Sequence, residues 1–140
     1  MRKSAKMIIG VTAAALIGAF VPASSTVAQE KFKIPTEKQC QDTANPVAKD
    51  PVTQGACVVV VRTKGNCMAC HAMPAVSPQA GDIAPPLVAM KQRFPDKAKL
   101  RDQISDGRKF NPRSIMPPFG PHEILSKDEI DNVVEFVLTL

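Results

Sequence analysis

Cys67-Met68-Ala69-Cys70-His71 is the stretch whose residue types and spacing most specifically dictate a chemistry. Two thiols three positions apart can reach the two vinyl groups on one edge of a porphyrin, and a His directly after the second Cys is then held beneath the iron. Covalent attachment through Cys67 and Cys70 and axial ligation by His71 would thus fall to one short helical turn. A redox dithiol would sit at a strand-to-helix junction in a βαβ pattern, and a structural zinc would need further Cys or His at ligand spacing. Neither context is present, so the expectation is one covalently attached haem c.

An iron held by His71 has a sixth position to fill. Past residue 28 the methionines are Met68, Met73, Met90 and Met116. The first two are tied to the His71 side by proximity in the chain. Met116 stands in Ile115-Met116-Pro117-Pro118-Phe119-Gly120, where the following proline pushes it out of the α region and the second stiffens the course, so a rigid loop presents one flexible thioether. Met90 reads better as a helical residue on an apolar face. His122, beyond Gly120-Pro121, is the competing non-methionine ligand. The other ring nitrogen of His71 needs an acceptor, and the turn Asp82-Ile83-Ala84-Pro85-Pro86-Leu87 offers one in the carbonyl of Pro85. Arg93, Arg101 and Arg113 are candidates for the haem propionates, because guanidinium forks match carboxylates. Cys40 and Cys57 are left over, and an even pair in an oxidising compartment predicts a disulfide.

The compartment follows from the N-terminus. Met1-Arg-Lys-Ser-Ala-Lys6 is a positive n-region, residues 7–21 are apolar, and Thr26-Val27-Ala28 ends on the small residue that signal peptidase requires. Residues 1–28 are therefore expected to be a cleaved secretory signal, with Ala28/Gln29 the favoured site and Ala23/Ser24 the second. The apolar run is short for a membrane span. Removing it takes Arg2, Lys3 and Lys6, which lowers 18 basic residues to 15 against 13 acids and the net charge from +5 to +2. With no Trp or Tyr and so little net charge, the mature chain has no nucleic-acid footprint. The expected location is the periplasm, with no membrane attachment after cleavage.

The elements that must position these groups read as helices. Ser126-Lys-Asp-Glu129 is a capping box, followed by Ile130, Val133, Val134, Val137 and Leu138 at helical spacing. Pro95-Asp96 through Asp106-Gly107 reads as a middle helix with Leu100 and Ile104 inward and a terminal glycine. Residues 52–62 carry four consecutive valines, which favour a strand by propensity, but one strand without a partner has nothing to pair with. Packing against the last helix favours a helix there too. The organisation expected is a signal (1–28), an N-terminal extension tied by the disulfide (29–51) and a small all-α domain wrapped around the haem (52–140).

Taken together, Gly65-Asn66-Cys67-Met68-Ala69-Cys70-His71, Ala84-Pro85-Pro86-Leu87, residues 111–120 and the C-terminal helix resemble SoxX, the monohaem subunit of the SoxAX cytochromes of bacterial sulfur oxidation. Ala84 stands where class I cytochromes usually carry glycine. The resemblance implies a class I cytochrome c fold with His71 and Met116 as axial ligands, and a partner, SoxA, whose own haem hosts the chemistry. The complex, an L-cysteine S-thiosulfotransferase, joins thiosulfate oxidatively to a cysteine of the carrier SoxYZ. This chain would take the electrons from SoxA and pass them to a soluble cytochrome c, without being catalytic alone. A free-standing electron carrier of a respiratory chain is the alternative reading.

Overall fold

In the computed structural model, residues 32–77 and 79–140 are described. The expected signal and its cleavage sites lie outside them. The described chain is all-α: helices α1 (Glu37–Gln41), α2 (Pro51–Val60), α3 (Met90–Arg93), α4 (Lys97–Ser105) and α5 (Lys127–Val137), with 3-10 turns at Cys67–Ala69 and Gly107–Lys109. Among the described residues the only β pairing is two isolated bridges, His71 with Ala84 and Met73 with Ser77. No described helix is long and apolar enough to cross a membrane.

The valine run is helical, and its start explains part of the choice. Asp50 Oδ1 accepts the Thr53 N–H at 3.0 Å and Pro51 occupies the first turn, where its missing N–H costs nothing. Burial supplies the rest. Ala56, Val58 and Val59 are buried in one core with Ile130, Val133, Val134, Phe136 and Val137 of α5. A fully buried aliphatic side chain contributes about 1.5–3 kcal/mol. The helix penalty of a valine is at most about 0.7 kcal/mol, so packing wins. At Gly55 the two helices touch, because a Cβ there would run into the backbone carbonyl of Asn132.

Helix α5 opens with the capping box read in the sequence: Ser126 Oγ accepts the Glu129 N–H at 3.2 Å, and Glu129 Oε2 accepts the Ser126 N–H at 2.9 Å. Its buried stripe includes Phe136, which the spacing argument passed over, while Leu138 is only half-buried. The Phe32 ring meets Phe136 with centroids 6.3 Å apart, which anchors the start of the described chain on this helix. Helix α4 buries Leu100 and Ile104 as expected and is capped by Asp96, whose Oδ1 accepts from Ala98 N (2.9 Å) and Lys99 N (3.3 Å). Its end differs from the expectation. Gly107 has no positive φ and is not a left-handed cap; it opens the following 3-10 turn. The fit there is close, since a Cβ would lie 3.0 Å from Ser114 Oγ and 2.9 Å from the end of the flexible Gln103 side chain. Ion pairs Lys97–Glu135 and Arg101–Asp131 run between α4 and α5 on the surface.

Candidate haem site

The Cys-His motif follows α2 closely and is held to it. Gly65 N donates to the Val58 carbonyl at 3.0 Å, and Asn66 then takes a left-handed turn (φ 47°), a conformation that asparagine tolerates better than most residues. The 3-10 turn Cys67–Ala69 brings His71 around, with His71 N bonded to the Cys67 carbonyl at 3.0 Å. Both cysteines and the imidazole therefore issue from one turn.

Behind the imidazole lies the proline turn. Nδ1 of His71 is 2.7 Å from the Pro85 carbonyl oxygen. A carbonyl can only accept, so Nδ1 carries the proton and Nε2 keeps its lone pair for a metal. Two backbone bonds hold the turn in place, Ala84 N to the Cys70 carbonyl (3.0 Å) and Leu87 N to the Ala72 carbonyl (2.9 Å). Gly81, whose N–H meets the Met68 carbonyl at 2.7 Å, passes so close that a Cβ would strike the Ala69 backbone. Sequence reading passed over this glycine; it leads into the turn one residue before Asp82.

The donor set fits covalently attached haem. Cys67 and Cys70 are free thiols and not bonded to each other. Burial pushes the Cys67 thiol up to about 12, opposite to the lowered value of a reactive redox thiol. A thioether is neutral and meets no such penalty. Among the described residues no group of three or more His, Cys, Asp or Glu side chains is placed to hold a metal ion, which leaves zinc without a ligand set.

The four methionines separate by environment. Met73 is fully buried in the core. Met90 is 2% exposed on α3, and its sulfur lies 3.4 Å from Arg93 Nη1, so it is spent on packing. Met68 lies inside the motif. Met116 is half-buried on its proline loop, with its N–H bonded to Ser114 Oγ at 3.2 Å, and the loop's far end is tied to α4 by Gly120 N donating to the Ser105 carbonyl at 3.0 Å. His122 is an exposed residue of the next turn. Of the arginines considered for propionates, Arg101 pairs with Asp131, and Arg93 Nη1 donates to the Pro86 carbonyl at 2.7 Å. Arg113 is exposed and makes no ion pair among the described residues. Cys40 of α1 and Cys57 of α2 form a disulfide with Cα atoms 5.4 Å apart.

The all-helical fold and the Cys-His motif together define a class I cytochrome c. The comparisons agree: residues 58–137 match the family described as cytochrome C oxidase, cbb3-type, subunit III, and the chain belongs to that family of cytochrome c domains. Within the class it is SoxX-like. It is similar to the crystal structure of SoxXA from P. pantotrophus at 25% identity, covering 70% of this chain and 87% of that chain with a TM-score of 0.57. No curated protein matches it. Membership in the cytochrome c class implies covalently bound haem c.

Proposed function

We propose that this chain is a periplasmic monohaem electron-transfer cytochrome, the SoxX-like subunit of a SoxAX complex. It carries one haem through Cys67 and Cys70, with His71 and Met116 as axial ligands. The observation that supports the site most directly is the His71 Nδ1 to Pro85 carbonyl contact of 2.7 Å, which points the imidazole's free lone pair away from the turn. Bound haem c would supply a one-electron couple. His71 and Met116 would occupy both axial positions with protein atoms, leaving no open position for substrate, so the chain's residues would tune and shield a relay. The likeness to SoxXA supports a SoxA-like partner in which thiosulfate is joined to the SoxYZ carrier, and electrons would leave through a soluble cytochrome c. Residues 1–28 are the export signal, 29–51 the extension and 52–140 the haem domain in this reading.

The test is reconstitution. Co-expression with a SoxA-like cytochrome in an exporting host should give a stable complex, and thiosulfate plus the carrier should reduce this chain's haem only when that partner is present. A haem left oxidised under those conditions removes the sulfur-oxidation role. The family description, which names a subunit of a respiratory oxidase, favours one second reading, a free-standing periplasmic carrier of a respiratory chain. In that case the protein purifies alone and exchanges electrons with an oxidase without the carrier.

A further inference from the structure

The Pro85-Pro86 turn has an unusual hydrogen-bond problem. Neither proline has an N–H, so the middle of the turn can only accept. The Pro85 carbonyl is taken by His71 Nδ1, and the bonds at Ala84 and Leu87 secure only the ends. The Pro86 carbonyl is met by Arg93, whose Nη1 lies at 2.7 Å, with the Val88 carbonyl and the Met90 sulfur each at 3.4 Å. Arg93 is the last residue of α3, and that helix is fixed by the buried Met90 and by its start at Ala89, where Ala89 N donates to the Leu140 carbonyl at 2.8 Å. One guanidinium thus links a core-anchored helix to the peptide unit next to the one that holds the histidine.

We infer that Arg93 is a positioning residue for His71: it locks the Pro85-Pro86 turn, and through the Pro85 carbonyl it fixes the orientation of the imidazole. This rests on the haem reading of the site, and it replaces the propionate role that the sequence suggested for Arg93. The interaction is a charged hydrogen bond in a fork geometry that lysine reproduces only in part.

The experiment is proton exchange in the reduced, diamagnetic holoprotein, following the His71 Nδ1–H by NMR with the Val134 amide of α5 as internal control. Arg93→Gln should speed exchange at the ring about tenfold, the scale of losing one charged hydrogen bond, while Val134 stays as in the wild type. Arg93→Lys should recover part of the protection, and Lys99→Gln, at an exposed side chain without an ion pair among the described residues, should leave ring exchange unchanged. Unchanged ring exchange in Arg93→Gln, with only the pH dependence of the reduction potential altered, would mean that Arg93 serves a propionate and overturns the inference. Equal acceleration at the ring and at Val134 would mean general destabilisation and overturns it too. A wild-type protein without c-type pyridine haemochrome bands defeats the haem reading itself, which is seen before any variant is made.

Discussion

Nδ1 of His71 donates to the Pro85 carbonyl, so the orientation of the imidazole, and its donor strength as a ligand in the proposed site, depends on one carbonyl. For the sulfur ligand, two methionines give contrasting expectations. If Met116 is the sixth ligand, Met116→Ala should abolish the near-infrared sulfur-to-iron charge-transfer band of the oxidised protein and lower its reduction potential. Met90→Ala should keep that band and instead cost about 2–5 kcal/mol of unfolding free energy, because it empties a buried position. A spectrum that loses the band only in the Met90 variant would reverse the assignment. The Cys-His spacing was legible because covalent reach to a porphyrin edge allows little else, and Pro85 because its carbonyl lies in a stiff turn close downstream. The contact of Arg93 with the proline turn was not legible, for a physical reason. Its partner is a backbone carbonyl, which any residue supplies, so no residue type signals it.

Helix α2 shows what local preference leaves open. Its valines argue for a strand, and only Asp50-Pro51 at the start and the α5 surface opposite make it a helix. Gly55 is the price of that contact and looks in the sequence like an ordinary helix weakness. Gly55→Ala, which elsewhere in a helix would help slightly, should here destabilise by about 1–3 kcal/mol, as overpacking does; an unchanged melting temperature would show that the helices can separate. The cap also has a pH signature. Hydrogen bonds from the side chain and backbone of Thr53 hold the Asp50 carboxyl below its usual range. Its folded-state value is depressed, so its contribution is complete above the unfolded value of about 3.9 and is lost as pH falls through the folded value. Glu129 follows the same sign: burial pushes it up, but the Lys64 ammonium and Ser126 outweigh burial and lower it. Melting temperature should therefore fall below about pH 4, and Asp50→Asn, which keeps a capping oxygen, should flatten part of that fall. The C-terminal helix was read nearly whole because its capping box and stripe are both local. Gly107 was not, because its reason lies in Ser114, across a turn.

Across the whole molecule, the described chain is held by one helical core, surface ion pairs of small individual worth, and a single crosslink from α1 to α2. The crosslink spans a sequence separation of 17 residues, for which the chain-entropy relation gives about 3 kcal/mol. Replacing both Cys40 and Cys57 by serine should lower unfolding free energy by about that amount while leaving the haem spectrum intact, as read by denaturant melts and absorption together. The leftover pair of cysteines predicted this crosslink from the sequence alone. Composition could not show the extension's second anchor, Phe32 on Phe136, since one aromatic residue carries no address.

The Cys40–Cys57 bond has a bearing on biogenesis. Cys40 and Cys57 are oxidised to each other, while haem attachment at Cys67 and Cys70 would require those two thiols to stay reduced, and four thiols can pair in three ways. In the folded chain α2 buries Cys57 beside Cys40, whereas the motif turn leaves its two sulfurs free of any disulfide. If helix α2 must form before that pairing is secured, variants that loosen it, Gly55→Ala among them, should accumulate mispaired, colourless protein in an oxidising host.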